Sequence, residues 1–194
     1  MKITGHVNII DGITNEVLVD KDNAIHYENF SEALAKSISS GPLNASDSSS
    51  ASGFIKTIAL GNGGTDVSPA GIITYKSPNY TGTSSTLYNQ TYFKIINQQF
   101  SNNLDPTSNN LTISHITGKA YSDILIQCTL NYTEPAGQYA FDNSVDSNGV
   151  YVFDELGLQS TGGKLLTHVI FHPVQKSTNR FIKISYTIRI QTLS

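Results

Sequence analysis

The sequence predicts a mainly β protein: an antiparallel β-sandwich of about seven or more strands, with one N-terminal amphipathic helix and long loops. The run FIKISYTIRI at 181–190 alternates polar and apolar side chains without a break, which is the two-residue period of a half-buried strand. Further short apolar runs follow one another with turn residues between them. Because no helical crossovers separate these runs, antiparallel pairing is favoured over an α/β sheet.

The C-terminal segment 150–193 is the most regular part of the chain. It contains three predicted strands, VYVFDELGL, KLLTHVIFHPV and FIKISYTIRI, joined by turn-forming stretches. The alternation in the last strand predicts an inward face made of Ile182, Ile184, Tyr186, Ile188 and Ile190. We expect this face to pack against Val152, Leu156, Leu166 or Ile170.

Residues 1–40 are predicted to form a hairpin and a helix that pack on the sheet. Asp11-Gly12 lies between two apolar stretches and is a strong turn signal. From Asn23, interpreted as the N-cap, apolar residues recur every three or four positions until Gly41-Pro42, which is interpreted as the stop. The predicted apolar stripe is Tyr27, Phe30, Leu34 and Ile38. This stripe needs a partner, and the inner face of the sheet is the expected one.

The remaining chain divides into a Ser-rich linker at 41–53 and a sandwich domain at 54–194. Within the latter, segment 61–90 is rich in Gly, Pro, Ser and Thr and lacks a regular period. An ordered loop of this length usually makes contacts of its own, so we expect it to contact a neighbouring subunit. The residues predicted at this protein interface are Asn62, Tyr75, Tyr80, Leu87 and Tyr88.

Composition limits the classes of function. The chain has 194 residues, enough for one well-buried core, and only 14% of them are charged. A net charge of −3 gives no basic surface for phosphates, which argues against nucleic-acid binding. No apolar run is long enough to predict a membrane span. Cys128 is the single cysteine and lies in an apolar run, which predicts a buried side chain and no internal disulfide.

Several short motifs suggest chemistry, and each lacks a necessary part. The GNGG run at 61–64 is not followed by Gly-Lys-Ser/Thr, so a tight glycine turn is favoured over a phosphate loop. The stretch 142–149 has a faint calcium-loop pattern, with Asp142, Asp146, Asn148 and Gly149, but the bidentate Glu is missing. Asp154-Glu155 has no identifiable second acid for a paired-carboxylate site.

The five histidines do not form an evident metal site. They are His6, His26, His115, His168 and His172. The last two lie four residues apart on one predicted strand, roughly 13 Å, which is too far to share one metal ion directly. The sequence therefore predicts no catalytic residue, no cofactor site and no metal site.

Several segments resemble a family of virion structural proteins of tailed bacteriophages. They include IALGNGGTDVSPAGIITY (58–75), LYNQTYFKI (87–95) and the stretch from FDELGL to SYTIRI (153–190). NAIHYENFSEALAKSIS (23–39) and EPAGQYAFD (134–142) share the resemblance. The resemblance implies a non-enzymatic subunit that is made in the host cytoplasm, forms a symmetric homo-oligomeric ring and binds other virion proteins.

The expected role is a connector or adaptor in the tail, neck or baseplate region. One alternative is a head decoration or collar protein. Another is a receptor-contacting or carbohydrate-contacting β-sandwich, for which Tyr75, Tyr80, Tyr88 and Tyr92 form the aromatic cluster to test. A hydrolase acting on the cell envelope is a fourth alternative, with no motif in its favour.

Overall fold

Two five-stranded antiparallel sheets share one hydrophobic core. The computed structural model describes residues 1–39, 53–82, 86–135 and 152–192. The strands are β1 (Lys2–Asp11), β2 (Val17–Asp22), β3 (Ala24–Ile25), β4 (Ile55–Gly61), β5 (Thr65–Val67), β6 (Ile73–Tyr75), β7 (Gln90–Ile95), β8 (Asn110–His115), β9 (Tyr121–Leu130), β10 (Val152–Ser160), β11 (Leu165–Gln175) and β12 (Ile182–Gln191), and the helix α1 spans Tyr27–Ser39. The order is β2-β1-β12-β9-β8 in sheet A and β3-β11-β10-β4-β7 in sheet B. The predicted antiparallel sandwich is confirmed.

The N-terminal hairpin is part of sheet A. Strand β1 pairs with β2 on one side and with β12 on the other, in register from Lys2↔Gln191 to Asp11↔Ile182. The turn forms at Asp11, as the Asp-Gly signal predicts, because its carboxylate accepts hydrogen bonds from the N–H groups of Ile13 and Thr14. The sequence predicts that this hairpin packs on the sheet. In the structure, β1 is instead an interior strand of sheet A.

Strand β12 supplies the centre of the core. Ile182, Ile184, Tyr186 and Ile188 are fully buried between the sheets, and Ile190 is partly buried against them, as the alternation predicts. Of the expected partners, Leu156 and Leu166 belong to this core.

Ile170 is also buried, but the prediction that it faces the core is wrong. It lies outside the core cluster and next to Gly64, on the outer face of sheet B. The reason is irregular pairing: the register between β10 and β11 shifts twice, between Phe153 and Glu155 and between Leu158 and Gln159. Each shift changes which face the following residues point to.

Helix α1 closes one end of the sandwich. Phe30 and Ala33 enter the core, and Leu34 packs against it. They meet the ends of strands from both sheets around a cavity of about 150 Å³, whose lining includes Ile55, Leu111, Ile124, Leu166 and Ile190. At this end of the sandwich the helix packs on inner-face residues of both sheets.

Two details of the helix prediction are wrong. The helix begins at Tyr27, because Ala24 and Ile25 extend sheet B as β3 and His26 takes the capping position, accepting from the Asn29 N–H through Nδ1. Tyr27 and Ile38 are exposed, so the buried stripe is shorter than the periodicity suggests.

Some predictions fall on residues outside the described ranges. These are the helix stop at 41–42, the linker at 41–53 apart from Gly53, and the calcium-like stretch at 142–149.

Candidate interaction surface

The segment that follows β4 folds back over the outer face of sheet B. Within it, β5 and β6 pair as a short ribbon, from Thr65↔Tyr75 to Val67↔Ile73, where the sequence indicates no regular structure. Gly71, with φ +77°, closes the turn of this ribbon. The far end of the segment is held by Leu87, which is buried against Ala59 and Leu165 in a small second cluster. We call residues 62–82 and 86–89 the covering loop.

Glu155 is the main anchor of the covering loop. Its carboxylate is fully buried and accepts four hydrogen bonds. Oε1 accepts from the N–H groups of Gly63 (3.1 Å) and Asn89 (2.8 Å), and Oε2 accepts from the N–H of Tyr88 (2.9 Å) and from Nε2 of His168 (3.0 Å). Burial raises the pKa of Glu155, but the bonds from His168 and the three backbone N–H groups outweigh it and leave the pKa below its usual value.

His168 extends this anchor to a third part of the loop. Its Nδ1 accepts a hydrogen bond from the N–H of Asn79 at 2.8 Å, so that nitrogen carries no proton. The hydrogen bond to Glu155 then requires the proton on Nε2, which fixes a neutral imidazole beside an ionised carboxylate. The ring of Tyr88 lies against the imidazole, with centroids 5.8 Å apart. His168 is thus fully buried and fully hydrogen-bonded.

Asp154 holds the start of the loop. Its two carboxylate oxygens accept from the N–H groups of Gly64 (2.8 Å) and Thr65 (2.9 Å), and Oδ2 also accepts from the Thr65 hydroxyl. Strict alternation would direct Asp154 and Glu155 to opposite faces of β10. The register shift between Phe153 and Glu155 instead lets both carboxylates reach the covering loop.

The glycines at 61–64 provide close approach. A Cβ on Gly61 would lie 2.5 Å from Glu155 Oε1, and one on Gly64 would lie 2.9 Å from the Asp154 carbonyl oxygen. None of the three glycines in this run has a positive φ, so the close approach of neighbouring atoms is what requires glycine here. The N–H groups that a phosphate loop would use are donated to the chain's own carboxylates.

The outer surface of the covering loop is aromatic, and two lysines lie over its rings. The hydroxyl of Tyr75 lies 3.2 Å from His172 Nδ1, and Lys21 lies over its ring at 5.6 Å. Lys76 lies over the ring of Tyr88 at 5.1 Å.

Tyr80 meets Tyr27, at the start of α1, edge to face at 6.2 Å between centroids. We call the exposed rings of Tyr75, Tyr80 and Tyr88 the tyrosine surface. Tyr27 and Lys21 also contact these rings. Alternation along the sequence does not indicate these contacts, because both residues reach the surface through tertiary packing.

The predicted interface residues therefore separate into two groups. Asn62, Tyr75, Tyr80 and Tyr88 reach the surface of the loop, and Asn62 Oδ1 accepts from the Asn89 amide at 2.6 Å. Leu87 instead points into the chain. Tyr92, the fourth ring of the hypothetical carbohydrate cluster, packs against the core from the other face of sheet B, and burial raises its pKa.

Two other side chains that could take part in chemistry, those of His6 and Cys128, have ordinary structural contacts. His6 lies 2.7 Å from Asp20 on the surface, and Cys128 is buried in the core, where burial raises its thiol pKa to about 12. Among the described residues, no three His, Cys, Asp or Glu side chains are placed to hold a metal ion. The one helix in these ranges is too short and too polar to cross a bilayer.

Comparison with protein-family models, curated proteins and solved structures returned no match for this chain.

Proposed function

We propose that this chain is a non-enzymatic structural subunit of a tailed-bacteriophage virion, made in the host cytoplasm and incorporated as a homo-oligomeric connector or adaptor in the tail, neck or baseplate region. The observation that carries the proposal is the covering loop, which is fixed to the sheet by buried carboxylates and presents the tyrosine surface outward. The resemblance of its segments to virion proteins supplies the biological setting.

A loop fixed in advance is suited to assembly. Its main-chain N–H groups are bound at three separate places, by Asp154, by Glu155 and by His168. A partner that binds this surface therefore does not have to order the loop first, and the conformational entropy lost on association is smaller. Exposed tyrosines add contact area with few rotatable bonds and are enriched at interfaces.

The same geometry makes Asp154, Glu155 and His168 poor candidates for catalysis. The carboxylate of Glu155 has about four acceptor positions, and all four are occupied by donors from its own chain. Both nitrogens of His168 are also bonded, and the three side chains are buried. A substrate could reach them only if the covering loop were displaced.

Incorporation into particles tests the proposal. Phage particles should be purified from host cells infected by the phage that carries the gene. We expect mass spectrometry of these particles to detect the chain at a fixed copy number. Tyr80→Asp should lower incorporation by about tenfold, because it places a charge at the centre of the contact. Leu104→Asp is the control, since Leu104 is 93% exposed in the turn-rich connection between β7 and β8 and should be incorporated normally.

The proposal fails if purified particles lack the chain and the recombinant protein is monomeric. Copy number separates the two virion positions: six, twelve or a similar number supports the tail axis, whereas hundreds of copies support the head decoration or collar alternative. The receptor-contacting alternative requires that Tyr75→Ala and Tyr80→Ala reduce binding to host-cell glycans without lowering incorporation.

A further inference from the structure

A second surface lies beside the covering loop, on the half of sheet B that the loop leaves open. Here the outer faces of β10, β4 and β7 lie side by side, with Thr57 between Gln159 and Ile95. A groove of about 340 Å³ runs over this region. Its volume is within the range of ~300–1,000 Å³ that is usual for small-ligand sites.

The floor of the groove is a chain of polar side chains. The Thr57 hydroxyl donates to Gln159 Oε1 at 3.1 Å, and Gln159 Nε2 donates to Gln90 Oε1 at 2.8 Å. Thr57 and Gln159 are buried. Burying polar groups is unfavourable unless they are hydrogen-bonded, and these bonds hold each amide in one orientation. Gln90 uses its Oε1 in this chain of bonds, and Gln90 and Asn102 are the exposed amide residues that line the groove.

An aromatic ring stands at the side of this polar floor. Phe93 is 55% exposed on β7, the last strand of sheet B. No carboxylate is present among the described residues that line the groove. Its one cationic side chain, Lys56, lies over the ring of Phe100 at 5.1 Å.

We propose that this groove binds a neutral saccharide. A sugar ring has one face of C–H groups, which packs against an aromatic ring, and a rim of hydroxyls that both donate and accept hydrogen bonds. Amide side chains match such a rim because each of them also has a donor and an acceptor. In this assignment Phe93 contacts the C–H face, Gln90 and Asn102 bind the hydroxyls, and Gln159 holds Gln90 in position. The groove is separate from the tyrosine surface, and the proposal goes beyond the structural role and does not depend on it.

Glycan-array binding of the isolated full chain tests this assignment. We expect retention of neutral glycans, and calorimetry with the best of them should give about tenfold weaker binding for Phe93→Ala, with recovery in Phe93→Tyr. Gln159→Leu should also weaken binding, because it removes the amide that orients Gln90. Tyr132→Ala is the matched control: it removes another exposed aromatic ring, on a different part of the chain, and should leave binding unchanged.

Three results would overturn the assignment. The first is an array on which no neutral glycan is retained. The second is binding that Phe93→Ala and Gln159→Leu leave unchanged while both variants keep the thermal midpoint of the parent chain. The third is binding lost in Tyr80→Ala and kept in Phe93→Ala, which would place the glycan on the tyrosine surface. Since the array uses the isolated chain, a negative result leaves the proposed virion role intact.

Discussion

Glu155 shows how one side chain can join distant parts of a sequence. It contacts Gly63, Tyr88 and Asn89 directly, and Asn79 through His168. A buried carboxylate is tolerated only when its oxygens are satisfied, and this one receives four donors. Its ionised state and the neutral His168 are therefore parts of one hydrogen-bonded unit.

Replacing Glu155 by Gln should lower the free energy of unfolding by about 2–4 kcal/mol, as measured by urea denaturation. The introduced amide NH₂ must face a donor, either a backbone N–H or His168 Nε2. His168 cannot adapt by moving its proton to Nδ1, because that nitrogen accepts from Asn79. Asp66→Asn is the control on the same loop, since its ion pair with Lys76 is exposed, and it should change stability by less than about 1 kcal/mol. Equal stability of the two variants would show that Glu155 is not an anchor.

Stability should also fall in acid because of Glu155. Its pKa in the folded chain is below the ordinary value of 4.5, so the unfolded chain binds the proton more readily. The stabilisation from ionised Glu155 is therefore complete above pH 4.5. It is lost as the pH falls through the lower pKa of the folded chain. Asp11, Asp105 and Asp123 also have lowered pKa values, so the test is the difference between the parent chain and Glu155→Gln. That difference should shrink towards low pH, and a difference independent of pH would contradict the assignment.

At the scale of elements, periodicity predicts where the strands lie better than it predicts which face of the sheet each side chain points to. The regular run of β12 was predicted residue by residue, because nothing interrupts its alternation. In β10 and β11 the register shifts leave no mark in a single sequence, and they decide that Ile170 and both acids face outward. The predicted start of α1 is wrong for a related reason, since the pairing of Ala24 and Ile25 with β11 is a tertiary contact that overrides local capping signals.

The covering loop is also held by one apolar contact. Leu87→Ala should lower the free energy of unfolding by about 2–3 kcal/mol, because it leaves a cavity against Ala59 and Leu165. Ile72→Ala removes an exposed apolar side chain from the same loop and should change stability by less than about 0.5 kcal/mol. Thermal or urea unfolding of both variants checks this, and a similar small effect of the two would mean that Leu87 does not fix the loop.

At the scale of the whole molecule, the sandwich serves as a frame for two outer surfaces on sheet B. One is the tyrosine surface on the covering loop, and the other is the amide-lined groove beside it. The sequence predicts the sandwich from composition and period, and it predicts segment 61–90 as a long loop, within which the structure adds the β5–β6 ribbon. It could not predict the groove, because Thr57, Gln90, Phe93 and Gln159 come from three strands and meet only through sheet pairing.

Hydrogen exchange of the loop amides tests most directly the claim that buried carboxylates fix the covering loop. The amides to follow are those of Gly63, Gly64, Thr65, Asn79, Tyr88 and Asn89. We predict that all six exchange slowly in the parent chain, and that Glu155→Gln accelerates Gly63, Tyr88 and Asn89 more than the amides at the centre of β12. Exchange of these six amides at the rate of an unstructured peptide would contradict the account.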